Sequence, residues 1–268
     1  MAYRFDCTLN PGQCRARLQG WQRRALRGDS EAFASLAAPY LDLITEYLTL
    51  CGVKGEEELR VKIRDILHEN WRLLPFANKV TEFERLLATV LFSVRLTDNA
   101  ASCSSVIEPL TGLDPRSRFA FLARDFEDWD YAATAATLRI TRKDLDEILI
   151  SVRCRLLGVD LRRLDKPTVA CIRKLSLDFD GRRSRREKKK LSCELGLLPE
   201  ALDFKSRWLD LRCQLIEFRQ EIRLSDEDKA ELLENVAGEL QSVEMIRVPF
   251  LERFVNRFTA RPASVTSL

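Results

Sequence analysis

Residues able to do chemistry are few and scattered. The 268-residue chain holds one histidine, His68, and eight cysteines: Cys7, Cys14, Cys51, Cys103, Cys154, Cys171, Cys193 and Cys213. No two cysteines stand in a C-x-x-C pair, so the close ligand pairs of a structural zinc site are missing. No metal and no other cofactor is expected. Nucleophilic or metal-assisted hydrolysis needs a base, usually histidine, beside an arranged partner. There is no H-x-x-x-H pair and no glycine-rich phosphate loop. The acidic group Asp125, Glu127, Asp128 and Asp130 offers carboxylates to a cation, but acids at helix starts explain it more simply. An enzyme is not expected.

Charge is the other chemical resource. The net charge of +3 is mild and calls for neither nucleic acid nor membrane. It is unevenly spread. Arg182, Arg183, Arg185, Arg186, Lys188, Lys189 and Lys190 set seven cations against Glu187 within nine residues. Such a run grips nucleic acid or an acidic protein surface, or is the solvated start of a helix. Residues 1–28 form a basic leader with Arg15, Arg17, Arg23, Arg24 and Arg27 around Trp21. A nucleic-acid or acidic-partner contact stands there beside the plainer reading of a solvated helix packed through Trp21.

The elements that must carry these residues are helical. Period-two strand patterns are essentially absent, glycine and proline are few, and 46% of residues are hydrophobic against 32% charged. The expected fold class is all-α. Scattered cysteines and the lack of an apolar run near about 18 residues point to reduced, buried thiols in a cytoplasmic protein with no membrane span.

Residues 113–158 read as three short helices. The first covers about Arg116 to Asp125 and the second Tyr131 to Leu138. Arg139-Ile140-Thr141 turns into the third, where Thr141 and Asp144 form a capping box. Leu145, Ile148, Leu149, Val152 and Leu156 are its apolar stripe, and Gly158 stops it. Two helices across so short a turn suit a helix-turn-helix. Tyr131, Ala135, Leu138, Ile140, Thr141, Leu145, Leu149, Arg153 and Leu156 fall in the register in which this segment resembles region 4 of extracytoplasmic-function sigma factors. That resemblance implies promoter DNA as a partner. The DNA-contact candidates are Thr141, Arg142, Lys143, Arg153 and Arg155. The departures lie on the helix that reads the major groove in that family: its T-V-K-S-R is here Asp144, Leu145, Asp146, Glu147 and Ile148. Leu113 to Asp160 carries eight basic and nine acidic residues, whereas a helix lying among phosphates needs net positive charge. Weakened or lost DNA reading is expected.

Residues 29–96 read as a second helical domain. Asp29 or Ser30 caps a helix to about Cys51, with Phe33, Leu36, Ala37, Tyr40, Ile44, Tyr47 and Leu48 buried. A second helix runs from about Glu56 to Leu74. Thr81 caps a third, closed by Glu84 in a T-x-x-E box, with Phe83, Leu86, Leu87, Val90, Leu91 and Val94 apolar. The opening R-G-D-S-E-A-F-A-S-L-A-A-P-Y resembles the start of region 2 of the same family. By that resemblance Asp65, His68 and Glu69 are candidate contacts to core RNA polymerase. Lys62, Ile63 and Arg64 replace the family's acidic D-A-E. The DNA-melting positions after the third helix are not basic here.

A polar linker is expected over 97–112, and a helical extension over 159–268. The extension reads as a helix from Lys166 to Leu175, the basic run, a long helix over Pro199–Leu224 with a Phe204-Trp208-Leu211-Leu215-Phe218-Ile222 seam, a helix capped by Ser225, and a last one on Phe250, Leu251, Phe254, Val255 and Phe258. The basic run is expected to fold back on the acidic third helix of the helix-turn-helix. Two functions stay open. One is a divergent sigma factor that binds core RNA polymerase, with or without promoter DNA, in transcription initiation. The other is a sigma mimic that binds an anti-sigma factor or another regulator without reading DNA.

Overall fold

The computed structural model describes residues 15–96, 108–243 and 245. They form thirteen α-helices and short 3₁₀ and π turns, with no strand among the described residues. In chain order the helices are α1 (Arg15–Ala25), α2 (Ser30–Ala37), α3 (Leu41–Leu50), α4 (Glu56–Leu73), α5 (Val80–Phe92), α6 (Glu108–Thr111), α7 (Pro115–Phe121), α8 (Tyr131–Leu138), α9 (Arg142–Leu156), α10 (Lys166–Phe179), α11 (Arg185–Leu195), α12 (Pro199–Ile222) and α13 (Asp226–Leu240). Cys7, Cys14, Cys103, residues 97–107 of the expected linker and the expected last helix at Phe250–Phe258 lie outside the described residues.

Several boundaries differ from the sequence reading, each for a local reason. The helix expected from Ser30 to Cys51 breaks at Ala38–Tyr40, a 3₁₀ turn around Pro39, because proline has no N–H to give the helix ladder. Asp29 does cap α2, accepting the Ala32 N–H at 2.8 Å. The Thr81–Glu84 box does not form. The cap is Lys79, two residues before Thr81, and Glu82 takes the N–H groups of Asn78 and Lys79. Glu84 is instead buried, between the Tyr40 and Thr137 hydroxyls. Residues 108–111 of the expected linker form α6, with Leu110 buried. After α7 the chain makes a π-helical turn over Leu122–Phe126. Cys51, Cys154 and Cys171 are buried as expected, but Cys193 and Cys213 are exposed.

Residues 15–25 of the basic leader form α1, which packs on the body; residues 1–14 lie outside the described residues. In α1, Leu18, Gln22 and Ala25 are buried, and Arg17 stacks on a half-buried Trp21. Gln22 ties α1 to the body by donating to the Ala77 carbonyl at 2.6 Å. Arg15 reaches Glu84 at 3.6 Å.

One hydrophobic core draws on all the described segments. An aromatic series runs through it: Trp71 meets Phe33, Phe33 meets Phe83, Phe83 meets Tyr40, Tyr40 meets Trp129 and Trp129 meets Phe119, all edge-to-face with centroids 5.3–6.2 Å apart. Edge-to-face pairs suit the ring quadrupoles. Polar ties cross the same boundary. Arg85 donates to the Ala136 carbonyl at 2.9 Å, and the buried Arg118 donates to Cys51 Sγ and to the carbonyls of Thr111 and Leu113. Segments 29–96 and 113–158 therefore pack directly on each other.

The extension wraps this body. Trp208 of α12 stacks on Phe179 of α10 and meets Phe121 edge-on. Leu232, Leu233, Val236 and Leu240 of α13 are buried, and α13 packs against α2 and α4. No helix among the described residues is long and apolar enough to cross a membrane.

Candidate interaction surfaces

Helices α8 and α9 follow each other across the short turn at Arg139–Thr141 and pack on each other. Asp130 caps α8 by accepting the Ala133 N–H at 3.0 Å. Arg139 ends the helix in the left-handed region, φ 54°, and the chain turns through Ile140. Thr141 then accepts the Asp144 N–H at 3.1 Å while Asp144 accepts the Thr141 N–H at 3.1 Å, the expected capping box. The Thr141 hydroxyl, which also donates to the Asp144 carboxylate at 2.7 Å, and the Thr141 N–H lower the Asp144 carboxyl below its ordinary value.

The acidic face of α9 is engaged. Asp146 pairs with Arg182 and accepts the Tyr131 hydroxyl. Arg182 also lies over the Tyr131 ring, 4.1 Å from its centroid. Glu147 pairs with Arg173 of α10. The extension thus supplies two cations to the acidic face of α9, and α10 packs along that helix.

The five DNA-contact candidates do not stay together. Thr141, Arg142 and Lys143 are exposed at the start of α9, with the Thr141 hydroxyl committed to its cap. Arg155 is exposed and crowds Gly112, where an added Cβ would collide with its guanidinium. Arg153 is a correction. It is fully buried, with Nη2 2.8 Å from Asp125 and 2.7 Å from Asp180 and Nη1 2.9 Å from the Ser176 carbonyl. Its guanidinium lies under Trp208 and Phe179. Burial of an arginine is tolerated only with such pairing. Arg124 adds a second cation beside Asp180 at 3.6 Å. Burial pushes the Asp125 carboxyl up, against the pull of Arg153.

The acidic group divides in the same way. Asp125 serves Arg153, Glu127 serves Arg219 and Arg223, and Asp130 caps α8. Among the described residues no group of side chains could hold a metal ion.

The polymerase-contact candidates lie on α4, beside α13. Asp65 is exposed. Glu69 pairs with Arg72 at 3.2 Å. His68 Nε2 stands 2.8 Å from Glu239 Oε2. Arg60 and Arg64 continue this contact, Arg60 to Asp228 and Glu231 and Arg64 to Glu239 at 3.6 Å. Arg60, Arg64 and His68 recur every four residues, one stripe of a helix. That spacing and the acids of α13 were the signals for this contact, which sequence reasoning missed.

The basic run is divided by the helix it starts. Ser184 caps α11 in a box with Glu187. Arg182 turns inward to Asp146, and Lys188 reaches Asp178 at 3.3 Å. Arg183 is half-buried, while Arg185, Arg186, Lys189 and Lys190 are exposed. At helical spacing those four share one outward face.

A second charged cluster joins the body to the extension, again unanticipated. Glu46 is fully buried and takes Arg219 Nε at 2.9 Å and Arg223 Nε at 3.6 Å. Asp42 takes Arg223 and Lys229 at 3.2 and 2.8 Å. Burial pushes the Glu46 carboxyl up to about 7, against the pull of both arginines.

No protein-family model, no curated protein and no solved structure matches the chain.

Proposed function

We propose that this chain is a sigma-like helical regulator that acts through protein contacts, as a mimic that binds an anti-sigma factor or a comparable regulator without reading promoter DNA. The observation that carries this reading is the state of α9. Its groove-facing acids are neutralised by Arg173 and Arg182 of the extension, and Arg153 is in the core. A helix that binds DNA directs unpaired cations at phosphates and donors at base edges. Here Arg142 and Lys143 are the exposed cations at the start of the helix, next to three acids.

The face of α4 fits the same reading. Its candidate polymerase contact His68 is occupied by Glu239, so binding of core RNA polymerase there requires α13 to leave. One observation favours the second reading, a divergent sigma factor in transcription initiation: the exposed cations Arg185, Arg186, Lys189 and Lys190 on α11. Their sequence-independent charge suits phosphate.

Titration of the full chain with labelled promoter-length duplex at rising salt, beside titration with purified core RNA polymerase and with an anti-sigma domain, tests these readings. The mimic reading requires binding of the anti-sigma domain, and DNA binding that is absent or is abolished by reversing the four α11 cations. DNA binding that is lost on reversing Arg142 and Lys143, together with polymerase binding lost on reversing Asp65 and Glu69, would establish the initiation factor instead.

A further inference from the structure

Helix α12 has two apolar faces, and among the described residues only one is packed against the body. Phe204, Trp208 and Leu215 point into the core. On the opposite side Leu202, Leu209 and Ile216 are 47%, 45% and 48% exposed. They are three of the five large hydrophobic side chains exposed among the described residues. Their spacing is seven; Ser206 and Cys213 fall between them and Gln220 follows, at alternating steps of four and three. That is the 3.5-residue repeat of a coiled-coil seam, with Leu202, Leu209 and Ile216 at one core position and Ser206 and Cys213 at the other.

The flanks of this seam decide the partner. Along one edge stand Asp203, Asp210 and Glu217; along the other stand Lys205, Arg212 and Arg219. One edge is wholly acidic and the other wholly basic. Arg219 is engaged inward with Glu46 and Glu127, whereas Asp210, Arg212 and Glu217 are exposed. In a parallel pair of helices the basic edge of one meets the acidic edge of the other. Two copies side by side bring Lys205 opposite Asp210 and Arg212 opposite Glu217, twice by symmetry. An antiparallel pair would set acid against acid and base against base.

We propose that the outer face of α12 binds a second copy of this chain, parallel and in register, closing a two-fold dimer over Leu202, Leu209 and Ile216. Cys213 then faces Cys213 of the second copy across the seam. This dimer does not depend on the sigma-like reading and places both α11 basic faces in one assembly.

The test uses the full chain and light scattering at several concentrations. The chain of 30.9 kDa is expected at twice that mass. One variant, Lys205→Glu with Arg212→Glu, makes both edges acidic. Another, Asp210→Lys with Glu217→Lys, makes both basic. Each alone is expected to raise the dimer dissociation constant about tenfold or more, and mixing the two restores the dimer as a heterodimer. With diamide as oxidant, two Cys213 thiols give up two protons and two electrons to it and form a disulfide-linked dimer. Cys213→Ser keeps the mass and loses the cross-link. A wild-type chain that stays monomeric at every concentration overturns the proposal and leaves this face to another protein's helix. Dimers that persist in both charge variants, or a mixture that does not re-associate, overturn it as well.

Discussion

Arg153 of α9 and Asp180, just past α10, meet at 2.7 Å in a site where the arginine has no exposed surface. This pair, with Asp125, ties the extension to α9 from inside. Arg153 is thereby a structural residue of the core.

Replacing Arg153 with Met should therefore cost about 3–5 kcal/mol, because Asp125 and Asp180 are left buried with only Arg124 nearby. Urea unfolding at neutral pH measures it. A loss under 1 kcal/mol would show that water reaches the site. A triple variant that also carries Asp125→Asn and Asp180→Asn should recover part of the loss.

Glu46 sets a pH dependence. Its folded-state carboxyl, pushed up to about 7 by burial, lies above its ordinary value of 4.5. A group whose pKa is raised on folding contributes stability below its unfolded value and loses it as pH rises through the folded value. Between pH 4.5 and 7 the wild type should lose roughly 2 kcal/mol relative to Glu46→Gln. Parallel unfolding curves of the two proteins across that window would contradict the assignment.

The contact of α13 with α4 and α2 rests on burial more than on its ion pairs. Leu233 is fully buried, and Leu233→Ala should cost about 2–5 kcal/mol. Reversing Glu239, which faces Arg64 and His68 at the surface, should cost about 1 kcal/mol or less. Thermal or urea unfolding of the two variants separates the contributions. Equal losses would mean that the charges hold the helix.

Thiol labelling should divide the cysteines by burial. Cys193 and Cys213 are exposed and should react in the native protein, as read by mass spectrometry of the labelled peptides. Cys51, Cys154 and Cys171 should wait for unfolding. Burial raises their thiols, Cys154 to about 11, and removes them from reagent. Rapid native labelling of Cys154 would require α9 to lift from the body.

Reversing Arg173 and Arg182 together should leave global stability within about 1 kcal/mol, since both pairs are partly solvated. Amide exchange in the first turns of α9 should rise. Unchanged exchange there would mean that the extension is held by its apolar contacts alone.

The sequence by itself determined the helices, because their signals are local. Apolar residues three and four apart, capping side chains at Asp29, Thr141 and Ser225, and the stop at Gly158 act within one turn of chain. The all-α class and the α8–α9 turn needed nothing more. Side-chain destinations were another matter. Arg153 and Arg155 are two residues apart on one helix, and no local rule tells which of them meets Asp125 and Asp180. Arg182 and Arg185 belong to one basic run, yet one reaches Asp146 and the other faces solvent. Glu46 lies in an apolar helix with its cations more than 170 positions away. Only the tertiary structure decided these, because ion pairing in a core depends on which distant segments come together and on the desolvation that obliges them to pair.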